Sequence, residues 1–276
     1  MEINTAEALA ALLTNEQQCK TLIELKLTGR EIKLLPPEIA QLTSLEILHL
    51  SGTEVIELPK ELGQLTKLKE LELDMSGTER LPAEIGNLVS LAALKIAYPA
   101  MTTLPSQITD LPNLKELDFI CCEKDALPEQ IWGITSLEKL DLSSVCDDIE
   151  ELSAEIGNLI HLKELILNGC CLVALPKEIG KLTSLEKLDL SDNVCLNNLP
   201  AEIGNLAQLK ELNLYCSEIE ILPKEIGKLT NLVKLDLSYS LLTELPNEIE
   251  NLTALQSLGL RNLQLTSVPE SLAHLA

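Results

Sequence analysis

A block of about 23 residues recurs through most of the chain, and this periodicity constrains the fold more than any other feature. Successive copies align on the first leucine of a Leu-x-x-Leu-x-Leu motif, 23 residues apart except for 25 after Leu137 and 24 after Leu185. The eleven first leucines are Leu22, Leu45, Leu68, Leu91, Leu114, Leu137, Leu162, Leu185, Leu209, Leu232 and Leu255. Most copies continue into Leu-Pro-x-Glu-Ile-Gly-x-Leu, as residues 222–229 do. This pattern predicts a small unit that is stacked many times.

Each part of the repeat has a simple structural interpretation. Alternation in Leu-x-Leu places leucines on one face of a short strand and the x residues on the other. Proline suits the first position of a short helical segment, and the following glutamate lies near its positive end. Glycine is expected to close the turn. Because no unit can bury its leucines alone, the sequence predicts an α/β solenoid with one parallel sheet and short helical or 3₁₀ segments opposite it.

The composition excludes several classes of protein. The net charge of −22 repels phosphate, and five aromatic residues offer few platforms for stacked bases, so nucleic acid is not an expected partner. A hydrophobic content of 46% is enough for a core and argues against disorder. Apolar runs reach six residues, whereas a membrane helix needs about 20, so no membrane insertion is expected.

The cysteines and the N-terminus indicate a reducing compartment. The eight cysteines include no Cys-x-x-Cys pair and no zinc-type Cys/His spacing. No basic segment followed by an apolar signal sequence opens the chain. We therefore expect reduced thiols and a cytoplasmic location, although a trimmed chain would leave export open.

The two-part motif resembles leucine-rich repeat proteins of the 23-residue type with Leu-Pro-x-x-Ile-Gly-x-Leu convex segments. Similar segments occur in bacterial leucine-rich repeat proteins, Ras-pathway scaffold proteins and the repeat regions of plant immune receptors. The resemblance covers the chain from Leu22 onwards. It implies a horseshoe with a parallel β-sheet on the concave side, and a role in binding proteins.

One column departs from the family pattern, which usually has Asn three residues after the third leucine. The column reads Arg30, Thr53, Ser76, Pro99, Cys122, Val145, Cys170, Asn193, Ser217, Ser240 and Leu263. Serine and threonine hydroxyls can replace some of the asparagine hydrogen bonds, whereas Pro99, Val145 and Leu263 cannot. Cys122 and Cys170 are predicted to be small buried residues of this column.

The predicted domain organisation is an N-terminal helical cap at 1–21 and eleven leucine-rich repeats at 22–276. Asn4 and Glu7 have the spacing of a capping box at the start of a helix. The last repeat has no evident C-terminal cap. Either this half-repeat caps itself or the natural chain continues past Ala276.

Charged residues after the first leucine alternate between repeats. Lys115-Glu116 is followed by Glu138-Lys139 and then by Lys163-Glu164, so each lysine should face a glutamate on the next strand. We interpret these residues as self-neutralising ladders rather than partner contacts. The 55 solvent-facing strand positions sum to −5, so the acidity is not focused on the concave face.

Two groups of concave residues are candidate partner-binding sites. Tyrosine is enriched at binding hot spots, and all three tyrosines lie at the ends of concave strands. The predicted partner-binding residues are Tyr98, Asp118, Asp141, Asp189, Asp192, Asn213, Tyr215, Asp236 and Tyr239, a set that suits a Lys/Arg-bearing segment. A secondary apolar patch comprises Ile47, Met75, Ala93, Ala97, Ile120 and Cys121. Scattered surface variation would explain either group equally well.

Catalysis is not expected, because no set of residues forms a recognisable reaction centre. Of the three histidines only His49 is concave, and it has no plausible triad partners; no Gly-rich phosphate loop occurs. The acidic stretch at 147–151 lacks a calcium-loop pattern, so no metal and no cofactor are predicted.

Three functions therefore stay open. The first is a non-catalytic protein–protein interaction module that binds an unidentified partner through the concave face. The second is the recognition segment of a larger receptor, or of a secreted bacterial effector acting in a host cytosol, whose active domain lies elsewhere. The third is a structural solenoid without a specific partner. Neither the partner nor the oligomeric state follows from the sequence.

Overall fold

A computed structural model describes residues 1–74, 78–97, 103–120, 127–143 and 151–267. Its internal contacts divide the chain into two compact units, Met1–Leu137 and Glu138–Ala276. Both units are built from coils in which a short strand alternates with a 3₁₀ segment. Three of the predicted site residues lie outside the described residues: Met75, Tyr98 and Cys121.

In the N-terminal unit, each strand pairs in parallel with its neighbour in the sequence. The strands are β1 (Glu2–Ile3), β2 (Glu24–Leu27), β3 (Ile47–Ser51), β4 (Glu70–Asp74), β5 (Ala93–Ala97) and β6 (Glu116–Ile120). Helices α1 (Ala6–Leu13) and α2 (Glu16–Thr21) follow β1. The 3₁₀ segments are Pro37–Gln41, Lys60–Gln64, Ala83–Asn87, Ser106–Asp110 and Glu129–Gly133.

The C-terminal unit repeats this arrangement with shorter parallel strands. They are β7 (Lys139–Asp141), β8 (Glu164–Ile166), β9 (Lys187–Asp189), β10 (Glu211–Asn213), β11 (Lys234–Asp236) and β12 (Ser257–Gly259). The 3₁₀ segments are Ala154–Asn158, Lys177–Lys181, Ala201–Asn205, Lys224–Lys228 and Asn247–Asn251.

Leucines of successive repeats stack in rows, because equivalent positions are partners in the sheet. Leu188 in β9 pairs with Leu165 in β8 and with Leu212 in β10. All three are at most 1% exposed, and so are Leu185 and Leu190 on either side of Leu188. Burial of one leucine side chain contributes about 2 kcal/mol, so these rows supply most of the stabilisation within each unit.

The motif prolines stand one position earlier than the sequence analysis predicts. Pro223, for example, is the N-cap of its segment, with φ −65° and ψ 143°. Its carbonyl accepts the first hydrogen bond of the segment from Ile226 N at 3.0 Å. A cap residue needs no amide hydrogen, so proline fits there as well as at the first helical position. Ser153 replaces the proline in one repeat, and its hydroxyl accepts a hydrogen bond from Glu155 N at 3.2 Å.

The motif glycines are explained by close packing between coils, which corrects the prediction that they close a turn. A Cβ atom on Gly63 would lie 2.5 Å from the carbonyl oxygen of Glu84 in the next coil. On Gly204 it would lie 2.6 Å from the carbonyl oxygen of Glu225. Backbone atoms cannot move away as a side-chain tip can, so the absence of a side chain sets the spacing of these coils.

The N-terminal segment contains more structure than the single helix that the sequence predicts. The hydroxyl of Thr5 accepts a hydrogen bond from Ala8 N at 3.2 Å and caps α1, so the predicted capping box on Asn4 is displaced by one residue. Threonine and asparagine are both favourable N-caps, and the pairing of β1 with β2 holds Asn4 beside the strand. The face of α1 that is buried comprises Leu9, Leu12 and Leu13.

Asn193 is fully buried and connects neighbouring coils through its side-chain amide. Its Nδ2 donates to the carbonyl oxygens of Leu167 and Leu190, both at 2.8 Å. Its Oδ1 accepts a hydrogen bond from Leu172 N at 3.0 Å. At this position the chain therefore has the asparagine bonding of the family pattern.

Other residues of the same column satisfy fewer backbone groups. Cys170 is 2% exposed and its thiol donates to the carbonyl oxygen of Leu142 at 3.0 Å, which confirms the prediction of a small buried residue. Cys122 lies outside the described residues. Thr53 is buried as well, but its hydroxyl has no hydrogen-bond partner among the residues that the structure describes.

A left-handed backbone residue recurs two positions after the third leucine of several repeats. The residues with φ between 50° and 64° at this position are Gly52, Gly169, Asp192, Cys216, Tyr239 and Asn262. Residues other than glycine, asparagine and aspartate adopt this conformation at a cost of about 1–2 kcal/mol. Two of the predicted partner-binding residues, Asp192 and Tyr239, stand at this left-handed turn, and Tyr239 carries the strain.

Candidate functional site

The strand side of each unit carries the candidate site residues, and its positions are numbered here from the first leucine of each repeat. At position +1, Lys163 Nζ lies 2.6 Å from Glu138 Oε2. At position +2, Lys187 is the register partner of Glu164 on one side and of Glu211 on the other. These contacts confirm the predicted charge ladders of the C-terminal unit. Exposed ion pairs contribute only tenths of a kcal/mol, so the ladders act mainly on charge balance and register.

At position +4, carboxylate and amide side chains of the C-terminal unit fold back onto their own backbone. Asp189 Oδ1 accepts hydrogen bonds from Ser191 N at 3.0 Å, Ser191 Oγ at 2.6 Å and Asn213 Nδ2 at 3.0 Å. The same backbone bond recurs from Ser143 N to Asp141, from Tyr215 N to Asn213 and from Ser238 N to Asp236. Several predicted partner-binding residues therefore also have a structural role, which the sequence analysis did not assign.

The strongest aromatic feature of this face is a pair of tyrosines. The ring centroids of Tyr215 and Tyr239 are 5.1 Å apart, and the rings are tilted by 55°. Tyr215 is 37% exposed and Tyr239 is 46% exposed. A tilted pair at this distance is a favourable aromatic geometry. The C-terminal patch is defined as Asp189, Asp192, Asn213, Tyr215, Asp236 and Tyr239.

The electrostatics show that members of the C-terminal patch act on one another. Partial burial raises the pKa of the Tyr215 phenol, and Tyr239, Cys216, Asp192 and Asp236 raise it further. Burial also raises the pKa of the Cys216 thiol, and Asp192 adds to this effect. The structure thus brings both tyrosines and two aspartates together. It adds Cys216, which the sequence analysis did not name.

The remaining two aspartates of the predicted set belong to different units. Asp118 lies on β6 opposite Lys95 of β5. A hydrogen bond to Glu70 raises the pKa of Lys95 against the effect of burial, and the charges of Glu72 and Asp118 add to the rise. Asp141 ends β7 in the C-terminal unit. Asp118 is therefore part of a charged network in the N-terminal unit and has no shown relation to the C-terminal patch.

The described members of the secondary apolar patch do not form one continuous surface. Ala97 and Ile120 are register partners. Ile47, however, pairs with Glu70, which in turn pairs with Ala93. A charged residue therefore separates Ile47 from Ala93, and all four described members are half-buried.

A compact group of potential metal ligands lies on the same side of the N-terminal unit. His49 Nε2 is 3.4 Å from Glu70 Oε1 and 3.7 Å from Glu72 Oε2, and all three side chains are half-buried. Within the described part of the chain, neither contact of His49 Nε2 is a well-aligned hydrogen bond. The sequence analysis considered His49 only for catalysis and missed this group. The available signal was the 23-residue spacing of His49 and Glu72, which makes them register partners.

The stacked coils define a class of protein, the repeat solenoids, and comparison with known proteins gives the family. A family described as "Leucine-rich repeat region" matches residues 60–155 and 152–239. The chain belongs to the leucine-rich repeat family. No curated protein matches the sequence significantly.

Similar solved structures agree with this assignment. A leucine-rich repeat protein of Leptospira interrogans is 30% identical, with a TM-score of 0.57; the match covers 100% of this chain and 91% of that one. A TDR receptor is 25% identical, with a TM-score of 0.76 and coverage of 100% and 48%. The Arabidopsis receptor kinase HAESA, in complex with the peptide hormone IDA and the co-receptor SERK1, is 25% identical, with a TM-score of 0.68 and coverage of 89% and 43%. The chain thus spans less than half of either receptor chain.

These findings confirm the predicted fold class, a leucine-rich repeat solenoid with a parallel sheet and 3₁₀ segments. A fold of this class is a protein–protein interaction module. Among the described residues, no helix combines the length and the apolar character needed to cross a membrane.

Proposed function

We propose that this chain is a non-catalytic recognition module that binds a partner protein through its concave face, with the C-terminal patch as the main contact. The observation that carries the proposal is the exposed Tyr215–Tyr239 pair, which stands beside carboxylates. Tyrosines with a large exposed area dominate many binding surfaces, because they bury much apolar area at a small entropic cost.

The chemistry of the C-terminal patch favours a segment that carries lysine or arginine. The charges of Asp192 and Asp236 act on the Tyr215 phenol, so negative charge and aromatic rings share one surface. A cation over an exposed tyrosine ring gains about 0.5–1 kcal/mol, and a nearby carboxylate adds to this attraction. The lysines of the neighbouring ladders are already paired with glutamates and offer less to a partner.

Backbone hydrogen bonds hold both tyrosines in place before a partner binds. Tyr239 N donates to the carbonyl oxygen of Arg261 at 2.7 Å. Tyr215 N donates to Asn213 Oδ1 at 3.2 Å. Because less motion is lost on binding, a surface ordered in this way binds more tightly than a mobile one of the same composition.

A peptide-display selection tests the proposal without knowledge of the natural partner. A library of random peptides is selected on the wild-type chain, and the enriched peptides are measured on Y215A/Y239A. We expect peptides rich in lysine and arginine, and binding at least about tenfold weaker for the double variant, since tyrosine hot spots exceed 2 kcal/mol. The matched control is I160A/I221A, which removes two exposed apolar side chains of the same unit outside the patch. Equal binding by Y215A/Y239A and the wild type would place the contact elsewhere.

A second proposal concerns the context of the module. The similarity to receptor chains of which this chain spans 48% and 43% favours the recognition segment of a larger receptor or effector. The sequence of the complete gene tests it, because an additional catalytic or signalling domain is then expected beyond the repeats. A complete gene that encodes only these repeats would leave the independent module as the better proposal.

For localisation we propose the cytoplasm, or the cytosol of a host cell for a delivered effector. Cys19, Cys195 and Cys216 are free thiols, and Cys195 is exposed. Free exposed thiols persist in reducing compartments. Fractionation of cells that produce a tagged full-length chain tests this, and recovery from the medium or an oxidising compartment would contradict it.

A further inference from the structure

The charged network of the N-terminal unit consists of His49, Glu70, Glu72, Lys95 and Asp118. Three of these side chains, from β3 and β4, are arranged as metal ligands are. We propose that His49, Glu70 and Glu72 form a binding site for a divalent transition metal, with Zn²⁺ as the best match. The sequence analysis predicts no metal site, and the three proposed ligands come from two different repeats. The proposal is independent of the C-terminal patch.

The distances agree with the edges of a coordination tetrahedron. Zinc binds imidazole nitrogen and carboxylate oxygen at about 2.0–2.2 Å, which places neighbouring ligand atoms about 3.4 Å apart. His49 Nε2 lies 3.4 Å from Glu70 Oε1 and 3.7 Å from Glu72 Oε2. The three ligand atoms all lie within 4.8 Å of one another. Both distances from His49 Nε2 are therefore close to a tetrahedral edge, and a bound ion would bring the two glutamate oxygens to about 3.4 Å as well.

The imidazole nitrogen gives the second reason. His49 Nε2 is buried and lies beside two carboxylates, but among the described residues neither contact is a well-aligned hydrogen bond. A buried polar atom with poorly aligned partners is costly, and coordination of a cation by its lone pair removes that cost. One nitrogen with two carboxylate oxygens is a donor set that zinc accepts, whereas calcium prefers six to eight oxygens.

The sheet provides a rigid base for these ligands. His49 is the register partner of Glu72, and Glu70 is the partner of Ile47, so all three ligands project from β3 and β4 on the same side. The leucines that alternate with them are buried and fix the backbone: Leu48, Leu50, Leu71 and Leu73. Three protein ligands leave one coordination position for water, because the side chains are only half-buried.

Lys95 competes with the metal for one ligand. Its Nζ lies 3.1 Å from Glu70 Oε1, the same oxygen that faces His49. Removal of the lysine should therefore tighten metal binding, a result that a merely structural cluster does not predict.

The test is a titration of chelator-treated protein with Zn²⁺, followed through the imidazole nitrogens in NMR spectra. We expect the Nε2 signal of His49 to shift on zinc binding, whereas that of the exposed His161 stays unchanged. H49Q and E72Q should each weaken binding by at least about tenfold, and K95M should strengthen it. H161A is the matched control and should bind like the wild type.

Two results would overturn the proposal. One is an unperturbed His49 signal at a zinc concentration that saturates any other site. The other is equal zinc affinity in H49Q, E72Q and the wild type, which would assign the ion to the thiols instead. Because the NMR readout uses the unmodified chain, a folding defect in either variant does not hide the answer.

Discussion

The two units are built from the same repeat, yet their strands end differently. Strands β3 to β6 of the N-terminal unit have five residues, whereas β7 to β12 of the C-terminal unit have three. In four repeats of the C-terminal unit the side chain at position +4 accepts the backbone N–H two residues later. That N–H is then satisfied by a side chain rather than by a neighbouring strand. The bond accompanies four of the six short strands, whereas β8 and β12 carry Ile166 and Gly259 at this position and are equally short.

This difference changes what the side chains at position +4 contact. In the N-terminal unit, position +4 holds His49, Glu72, Lys95 and Asp118, which are register partners on successive strands. In the C-terminal unit, four side chains at position +4 instead accept hydrogen bonds from their own backbone: Asp141, Asp189, Asn213 and Asp236. The exposed side chains best suited to bind a partner there are the tyrosines at the following turns. Aspartate at position +4 does not by itself end a strand, because Asp118 lies inside the five-residue strand β6. In three of the four repeats with the side-chain bond, a serine stands two residues after the aspartate.

The largest expected effect concerns the buried column that connects the coils. N193A removes four hydrogen bonds of a fully buried amide and leaves backbone groups unsatisfied, so we expect a loss of about 3 kcal/mol in the free energy of unfolding. T53V at the equivalent position should be neutral or slightly stabilising, because the hydroxyl of Thr53 has no partner among the described residues. Urea denaturation followed by circular dichroism measures both.

Hydrogen exchange adds the location of these effects. N193A should raise exchange in the C-terminal unit near Leu172, whose N–H loses its acceptor. Equal losses from N193A and T53V would show that burial, rather than amide bonding, determines stability in this column.

The second prediction concerns the turn at the end of β9. D189A removes three hydrogen bonds and should lower the free energy of unfolding by about 1–2 kcal/mol. D189N keeps an acceptor oxygen and should retain most of the stability. In the N-terminal unit, E72A should change the free energy of unfolding by less than about 0.5 kcal/mol, since the Glu72 side chain is only half-buried and accepts no hydrogen bond from a turn. Similar effects of D189A and E72A in thermal unfolding would remove the distinction between the units.

The third prediction uses the left-handed position that both units share. Cys216 has φ 56°, and C216N should stabilise the chain by about 0.5–1 kcal/mol because asparagine tolerates this conformation. Gly52 has φ 64° with open space around it, so G52A should destabilise by about 1 kcal/mol through backbone strain alone. Midpoints of chemical denaturation report both, and a stabilising G52A would mean that the turn relaxes.

Much of the fold follows from the sequence, because periodicity places each leucine and each strand. The structural roles of the motif proline and glycine do not follow from the sequence, because both depend on three-dimensional geometry that a sequence motif does not show. Proline is compatible with the cap and with the first helical position alike. The need for Gly63 becomes visible only when the carbonyl of Glu84, 21 residues later, is known to lie 2.5 Å from its missing side chain.

The candidate site was predictable only in part for a related reason. The sequence places Tyr215 and Tyr239 just beyond two strand ends, but their contact joins positions +6 and +7 of adjacent repeats through a left-handed turn. The cluster of His49, Glu70 and Glu72 depends on the distances between side-chain atoms of neighbouring strands. The strand register alone does not predict these distances. Asp189 and Asp236 looked like free carboxylates because the sequence does not show that their turns use them.

The smallest expected effect is a pH dependence that differs between the units. Lys95 and His49 hold the pKa of Glu70 below its ordinary value of 4.5, against the effect of burial. The unfolded state therefore binds the proton more readily, so this carboxylate contributes stability above about pH 4.5 that is lost as the pH falls through the lower folded pKa. E70Q should reduce the difference in stability between pH 7 and pH 3 by about 0.5 kcal/mol or less.

In the C-terminal unit, Lys210 lowers the pKa of Glu186 in the same direction, but this pair is exposed to solvent and E186Q should change the profile less. Urea titrations at both pH values, repeated in high salt, separate the two, because salt screens the exposed pair more strongly than the half-buried one. A larger effect of E186Q than of E70Q would show that burial does not protect the charged network of the N-terminal unit from solvent.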